Sequence, residues 1–209
     1  DFVRQMRVFV DPTMPDPRQK EYVPRLAARV LEQCRATDGG AFVLCTSRRV
    51  LNELAKRCRE ELEMAGHVVL VQDHDGPRTS LLKQFRADSR AVLFGVASFW
   101  QGVDVRGQNL RNVIITQLPF DAPDRPIVQA RHEAIEARGE SPFMVDQVPR
   151  AVLRFKQGVG RLIRSSDDTG RIVVLDPRIV TKPYGKAFQR ALPEGVEVEP
   201  IDDPYEVTF

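Results

Sequence analysis

Two arginines and a glutamine fall within the eight residues "QGVGRLIR" (157 to 164), and their spacing is suited to phosphate chemistry. On a helical wheel of about 100° per residue, Gln157, Arg161 and Arg164 lie within about 60° of one another. A guanidinium is always charged, and its planar fork matches phosphate or carboxylate oxygens two at a time. Two such forks with an amide beside them therefore suit a polyanion, phosphate above all. Gly158 and Gly160 each cost a helix interior about 1 kcal/mol relative to Ala, which implies a close backbone approach or a local irregularity. A solvated basic face with a fraying glycine end has the same spacing and is the alternative.

The element that must hold this trio is a helix over 146–164. Its apolar residues Val148, Ala151, Val152, Phe155, Val159, Leu162 and Ile163 cluster opposite the polar face. Around it, short apolar runs recur at "RVFV" (7–10), "AFVLC" (41–45), "HVVLVQ" (67–72), "AVLFGV" (91–96), "NVIITQL" (112–118) and "RIVVLD" (171–176), all candidate buried strands. Helical patterns separate them at 18–36 (Tyr22, Leu26, Val30 and Cys34 inward), 48–64 (Leu51, Leu54, Ala55, Cys58 and Leu62 inward), 78–88 and 124–138. This alternation predicts an α/β fold, a mostly parallel sheet flanked by helices on both faces, which binds ligands at the carboxyl ends of its strands.

Three segments sit just past expected strands: "TSRR" (46–49), "SFWQGVD" (98–104) and "PFDAPDRP" (119–126). Thr46 or Ser47 suits the N-cap of the helix that follows. On its residues alone Asp104 reads as a turn. Phe99 and Trp100 could stack on bases or be buried as the continuation of a core strand.

Composition sets the class. The 209 residues, 42% hydrophobic and 29% charged, fit a soluble globular domain. Residues 191–209 hold six acidic residues and no Lys or Arg, so the net charge of +2 conceals a body of +8 over 1–190. We expect a domain over 1–190 and an acidic tail over 191–209, the tail forming a surface extension or a terminal strand. A mildly basic body is compatible with a nucleic-acid partner without demanding one. Cys34, Cys45 and Cys58 form neither a C-x-x-C pair nor a disulfide framework and are read as reduced, packed thiols. There is no long apolar span or leader pattern, so no membrane partner is expected and a cytoplasmic location is. The opening "DFVRQMRVFVDP", without an initiator Met, suggests a piece of a larger polypeptide. No G-x-x-x-x-G-K-[ST] loop occurs, nor an acidic box beside one, so the usual triphosphate site is lacking. The "HE" at 132–133 has no second His four residues on and reads as an ordinary exposed pair, leaving no metal site.

The blocks "ASFWQGVDVRGQNLRNVIITQLPFDAPDRPI" (97–127) and "QGVGRLIRSSDDTGRIVVLDPRI" (157–179) resemble the second RecA-like motor domain of superfamily 2 DNA helicases, in particular the bacterial DinG group related to XPD. The resemblance runs over about 37–181. It implies that Arg161 and Arg164 act as arginine fingers on ATP held, with Mg²⁺, by a first RecA-like domain of the same polypeptide. It places Gln157, Gly160, Gly102 and Asp104 on the ATP side of that cleft. Thr46, Ser47, Arg48 and Ser98 are implied as contacts to the backbone of single-stranded DNA. Gln101 stands where relatives often carry Glu, so no role of that carboxylate carries over. The iron–sulfur cluster of the family belongs to the first motor domain, and its cysteine pattern is not among the three cysteines here. Within this resemblance the alternatives are a motor-like domain of a nuclease-linked homologue or a nucleic-acid-binding module without hydrolysis.

Overall fold

The computed structural model describes residues 2–96, 109–121, 126–160, 162 and 168–201. Seven strands form one sheet: β1 (Met6–Val10), β2 (Ala41–Cys45), β3 (Val69–Val71), β4 (Val92–Val96), β5 (Asn112–Ile115), β6 (Gly170–Val174) and β7 (Val198–Pro200). Their order is β3-β4-β2-β5-β6-β1-β7 and every pairing is parallel. The six expected strands are all present. The terminal-strand alternative for the tail is realised in β7, which pairs Val198 with Val8 and Pro200 with Val10.

A parallel strand needs a crossover to reach its neighbour, and the crossover helices cover both faces. Along β2 the side chains alternate: Phe42 and Leu44 join one core, Ala41, Val43 and Cys45 the other. Helices α2 (Tyr22–Ala36) and α3 (Arg48–Met64) close the second core with Leu26, Val30, Leu51, Leu54 and Leu62. On the opposite face, α4 (Arg78–Ala87) brings Leu81 and Phe85. Helix α6 (Val148–Val159) brings Ala151 and Phe155, and the short α8 (Gly185–Gln189) brings Phe188. Three further helices, α1 (Phe2–Gln5), α5 (Pro126–Glu136) and α7 (Arg178–Thr181), complete the described set. The turn after α2 depends on Gly39, whose φ is +76° and whose added Cβ would come within 2.2 Å of the Arg90 carbonyl oxygen.

The expected helix over 146–164 is shorter and less regular. A π-helical turn at Phe143–Gln147 leads into α6, which ends at Val159 with Gly160 as its C-cap. The Gly160 N–H donates to the Lys156 carbonyl at 2.9 Å. Two glycines in three residues weaken the last turn enough for the chain to leave the helix there. The wheel that put Gln157, Arg161 and Arg164 on one face thus applies only as far as Gln157; Arg161 and Arg164 lie outside the described residues. Of the expected inward stripe, Val148, Ala151, Phe155, Val159 and Leu162 are buried. Val152 packs against the core half-buried, and Ile163 lies outside the described residues.

All three cysteines are free and buried. Burial pushes the thiols of Cys45 and Cys58 up to about 12 and that of Cys34 higher, so none ionises near neutral pH. A thiol reagent at pH 8 is expected to count no reactive cysteine in the native chain and three after unfolding in urea; a fast native reaction would place one of them at the surface.

Candidate functional site

The carboxyl edge of the sheet gathers Thr46, Ser47 and Arg48 immediately after β2. Each already has a partner. Ser47 is the N-cap of α3, with an extended backbone and a side chain that accepts from the Val50 N–H at 3.3 Å. Thr46 Oγ1 donates to Gln117 Oε1, beyond the end of β5, at 2.5 Å. The exposed Arg48 Nε meets Asp73 Oδ2 at 3.0 Å. The N–H groups of the first turn of α3 have no partner within the helix, so the positive end of its dipole opens onto the same edge. Two hydroxyls, an exposed cation and a helix N-terminus are the ordinary means of holding a phosphate backbone without reading its sequence.

Behind these residues lies a polar frame. Tyr22, 1% exposed, donates its hydroxyl proton to the Thr116 carbonyl at 2.7 Å. The Thr116 hydroxyl in turn donates to the Leu44 carbonyl at 3.0 Å. Burial, with the Asp176 charge nearby, raises the Tyr22 phenol far above its ordinary value, so it stays protonated. Asp176, fully buried after β6, accepts from the Leu118 N–H at 2.9 Å and from Arg178 Nη2 at 2.6 Å. Arg178 lies over the Phe120 ring, 5.5 Å from its centroid. Phe120 stacks on Phe143 from the π-helical turn (5.7 Å) and meets Tyr184 edge-on (5.7 Å). Arg154 of α6 clasps Asp121 at 2.8 Å and the Pro119 carbonyl at 3.2 Å. "PFDAPDRP" thus begins as a braced corner, and residues 122–125 lie outside the described residues.

The second set of candidates is at the other edge. Helix α6 runs antiparallel to the strands, so Arg154 reaches the carboxyl edge while the helix ends beside the first residues of β1 and β6. Val159 and Gly160 line a cavity of about 350 Å³ with Phe2 and Met6, rimmed by Lys156 and Arg190. Leu162 is buried against Gly170, where an added Cβ would come within 2.7 Å of Leu162 Cδ1 and 2.6 Å of the Arg111 carbonyl. Gln157 and Gly160 are exposed. The structure therefore does not bring Gln157 and Gly160 together with Thr46, Ser47 and Arg48; it sets them at opposite edges of one sheet. Ser98, Phe99, Trp100, Gln101, Gly102, Asp104, Arg161 and Arg164 lie outside the described residues.

Sequence reasoning missed Gln117, which reads as the tail of an apolar run, and the Asp176–Arg178 pair, whose signal was an acid directly after a strand with a cation two residues on. It also took His132 for an exposed residue. The ring is half-buried, its Nε2 3.3 Å from Gln147 Nε2 and 3.9 Å from Asp146, because Asp146 draws Arg131 and Arg150 around it.

A parallel seven-stranded sheet with helices on both faces, hydroxyls and a helix N-terminus at one edge and a glycine-terminated helix at the other, is a RecA-like fold. The chain belongs to the helicase C-terminal domain family, whose model matches residues 30–195. It is 42% identical over 193 residues to the ATP-dependent DNA helicase YoaA of Escherichia coli, covering 92% of this chain and 30% of that protein. It is 35% identical to the 3'-5' exonuclease DinG of Bacillus subtilis, covering 91% of this chain and 21% of that one. A solved XPD helicase superposes with a TM-score of 0.71 at 16% identity, over 94% of this chain and 35% of that one, which establishes the shared fold. The chain thus spans less than a third of the length of these curated relatives.

Proposed function

We propose that this chain is the second motor domain of an ATP-dependent DNA helicase that tracks along single-stranded DNA by opening and closing against a first RecA-like domain of the same polypeptide. One observation carries the reading: 42% identity over 193 residues to a protein named an ATP-dependent DNA helicase. The division of polar groups between two edges supports it, because a motor must grip its track and its fuel separately.

Arg161 and Arg164 act in trans on the transferring phosphoryl group, where a guanidinium offsets the charge that develops on its oxygens. Gln157, Gly160, Gly102 and Asp104 form the ATP side of the same cleft. ATP and Mg²⁺ are held mainly by the first domain, since this chain carries no P-loop. Placing the fingers and the pocket on different domains makes hydrolysis depend on closure. Thr46, Ser47, Arg48 and Ser98 hold DNA phosphates, with the α3 N-terminus adding its dipole. An iron–sulfur cluster, where the whole protein has one, lies outside this chain.

Two measurements test the reading. The 209-residue chain alone is expected to turn over no ATP, and DNA-stimulated turnover by it would overturn the proposal. It should bind single-stranded DNA weakly, with affinity falling steeply as salt rises, and Arg48→Ala should reduce the salt slope by about one phosphate contact. Fluorescence anisotropy at several salt concentrations reads both quantities, and binding indifferent to salt would exclude a backbone track. The similarity to a protein named an exonuclease favours a second reading, a motor-like domain in a nuclease-linked homologue. End-labelled DNA incubated with the full-length protein separates the two: strand shortening without unwinding selects the second.

A further inference from the structure

We propose that Gln117 is a positioning residue for the DNA contact at Thr46, its side-chain amide rotating so that Tyr22, Gln117 and Thr46 relay one line of hydrogen bonds outward to a DNA phosphate. The inference rests on the reading of Thr46 as a backbone contact. It starts from a mismatch in donor count. A threonine hydroxyl has one proton, and that of Thr46 goes to Gln117 Oε1 at 2.5 Å. A phosphate oxygen only accepts. With its proton turned inward, Thr46 meets a phosphate with lone pairs alone and repels it.

The groups behind Gln117 provide the way out. Its amide also faces the Tyr22 hydroxyl, so the side chain lies between Tyr22 and Thr46. Tyr22 donates its proton to the Thr116 carbonyl at 2.7 Å. Turning the Gln117 amide by half a rotation exchanges its two ends. The Nε2 then donates to Thr46 Oγ1, the Tyr22 hydroxyl swings to donate to Gln117 Oε1, and the Thr46 proton points outward to the phosphate. Only the Thr116 carbonyl gives up a donor. Tyr22 is 1% exposed, so bulk solvent does not reach it, and the Thr116 carbonyl and Gln117 Oε1 are protein acceptors beside its hydroxyl. Each bond in such a line polarises the next, which favours the outward-facing pattern once an anion is at its end. Gln117 and Thr46 follow adjacent strands, β5 and β2, and no sequence motif links them.

The test uses the full-length protein and a fluorescein-labelled oligothymidylate, with affinity measured by anisotropy across a salt series. Thr46→Val is expected to weaken binding about tenfold, the scale of one hydrogen bond to a charged group, and Gln117→Leu, which removes the inner donor and leaves the Thr46 hydroxyl, by about threefold. The double variant should lose no more than Thr46→Val alone, because Gln117 acts only through Thr46. The salt slope should stay at its wild-type value, since no cation is removed, whereas Arg48→Ala lowers it. Gln117→Glu, able to accept from both neighbours but to donate to neither, should weaken binding more than Gln117→Leu. Tyr22→Phe, which keeps the packing, should shift affinity in the same direction by about threefold. Thermal unfolding checks each variant; should Gln117→Leu fail to fold, the near-isosteric Gln117→Glu and Tyr22→Phe carry the test. Wild-type binding by Gln117→Leu beside a weakened Thr46→Val overturns the proposal and leaves the DNA track standing, as do losses that simply add. Wild-type binding by Thr46→Val overturns the track at this residue, and the proposal with it.

Discussion

In the full-length protein, Arg161→Ala and Arg164→Ala are each expected to lower ATP turnover by about three to five orders of magnitude, the range for an arginine supplied across a domain interface. The charge on the transferring phosphoryl oxygens is largest in the transition state, so a guanidinium aimed there affects catalysis more than nucleotide binding. DNA affinity without nucleotide should change little. The helix that leads to these arginines ends beside the first residues of β1 and β6, while Thr46, Ser47 and Arg48 occupy the opposite edge. Folding should survive as well. The intervening Leu162 is buried against Gly170, and that anchor is unaffected by either substitution. Turnover, DNA binding and thermal unfolding measured on the same variants separate the possibilities. Wild-type turnover with lost DNA binding would make "QGVGRLIR" a basic DNA-contacting face and exclude the arginine-finger role.

The sheet was legible because its strands are buried on both faces and read as unbroken apolar runs, "AFVLC" being the clearest, with every residue buried. Helices α2 and α3 were legible through their stripes, and each predicted inward residue, from Tyr22 to Leu62, is buried. The end of α6 was not. An apolar stripe that continues through Leu162 and Ile163 argues for a longer helix, and the preference of Gly158 and Gly160 for leaving it is local and weak beside that pattern. The polar frame was the least legible part. Gln117 meets Thr46, 71 positions away, and Tyr22 meets Thr116, 94 positions away, through sheet neighbours that no spacing rule anticipates. Hydrogen bonds between the ends of different strands are set by topology, so periodicity located the candidate hydroxyls without revealing that each was already engaged. Ser47 shows this most plainly, since the capping bond and the proposed phosphate contact draw on the same side chain.

The frame depends on the exact rotation of α2, and one buried ion pair fixes it. Tyr22 and Arg29 are seven residues apart, two helical turns, so both project from the same side of the helix. Arg29 Nε donates to Asp11 Oδ2 at 2.6 Å, with the two side chains 3% and 0% exposed. Asp11, the first residue after β1, also accepts from the N–H and hydroxyl of Thr13 at 2.8 and 2.6 Å. Arg29 Nη1 also donates to Glu32 at 2.7 Å. Arg29→Met keeps much of the side-chain volume but leaves a buried carboxylate with only the Thr13 donors, at an expected cost of about 3 to 5 kcal/mol. In a domain of this size that lowers the melting temperature by roughly 10 °C. Asp11→Leu combined with Arg29→Met removes both charges at once and should recover most of the loss, because two apolar residues in place of a buried pair are often neutral. Urea unfolding of the four proteins in this cycle measures the coupling directly. A cost below about 1 kcal/mol for Arg29→Met would show that solvent reaches the pair. Additive losses in the double variant would show that the two side chains stabilise β1 and α2 independently, and α2 would then owe its orientation, and Tyr22 its place behind Gln117, to the apolar contacts of Leu26 and Val30 alone.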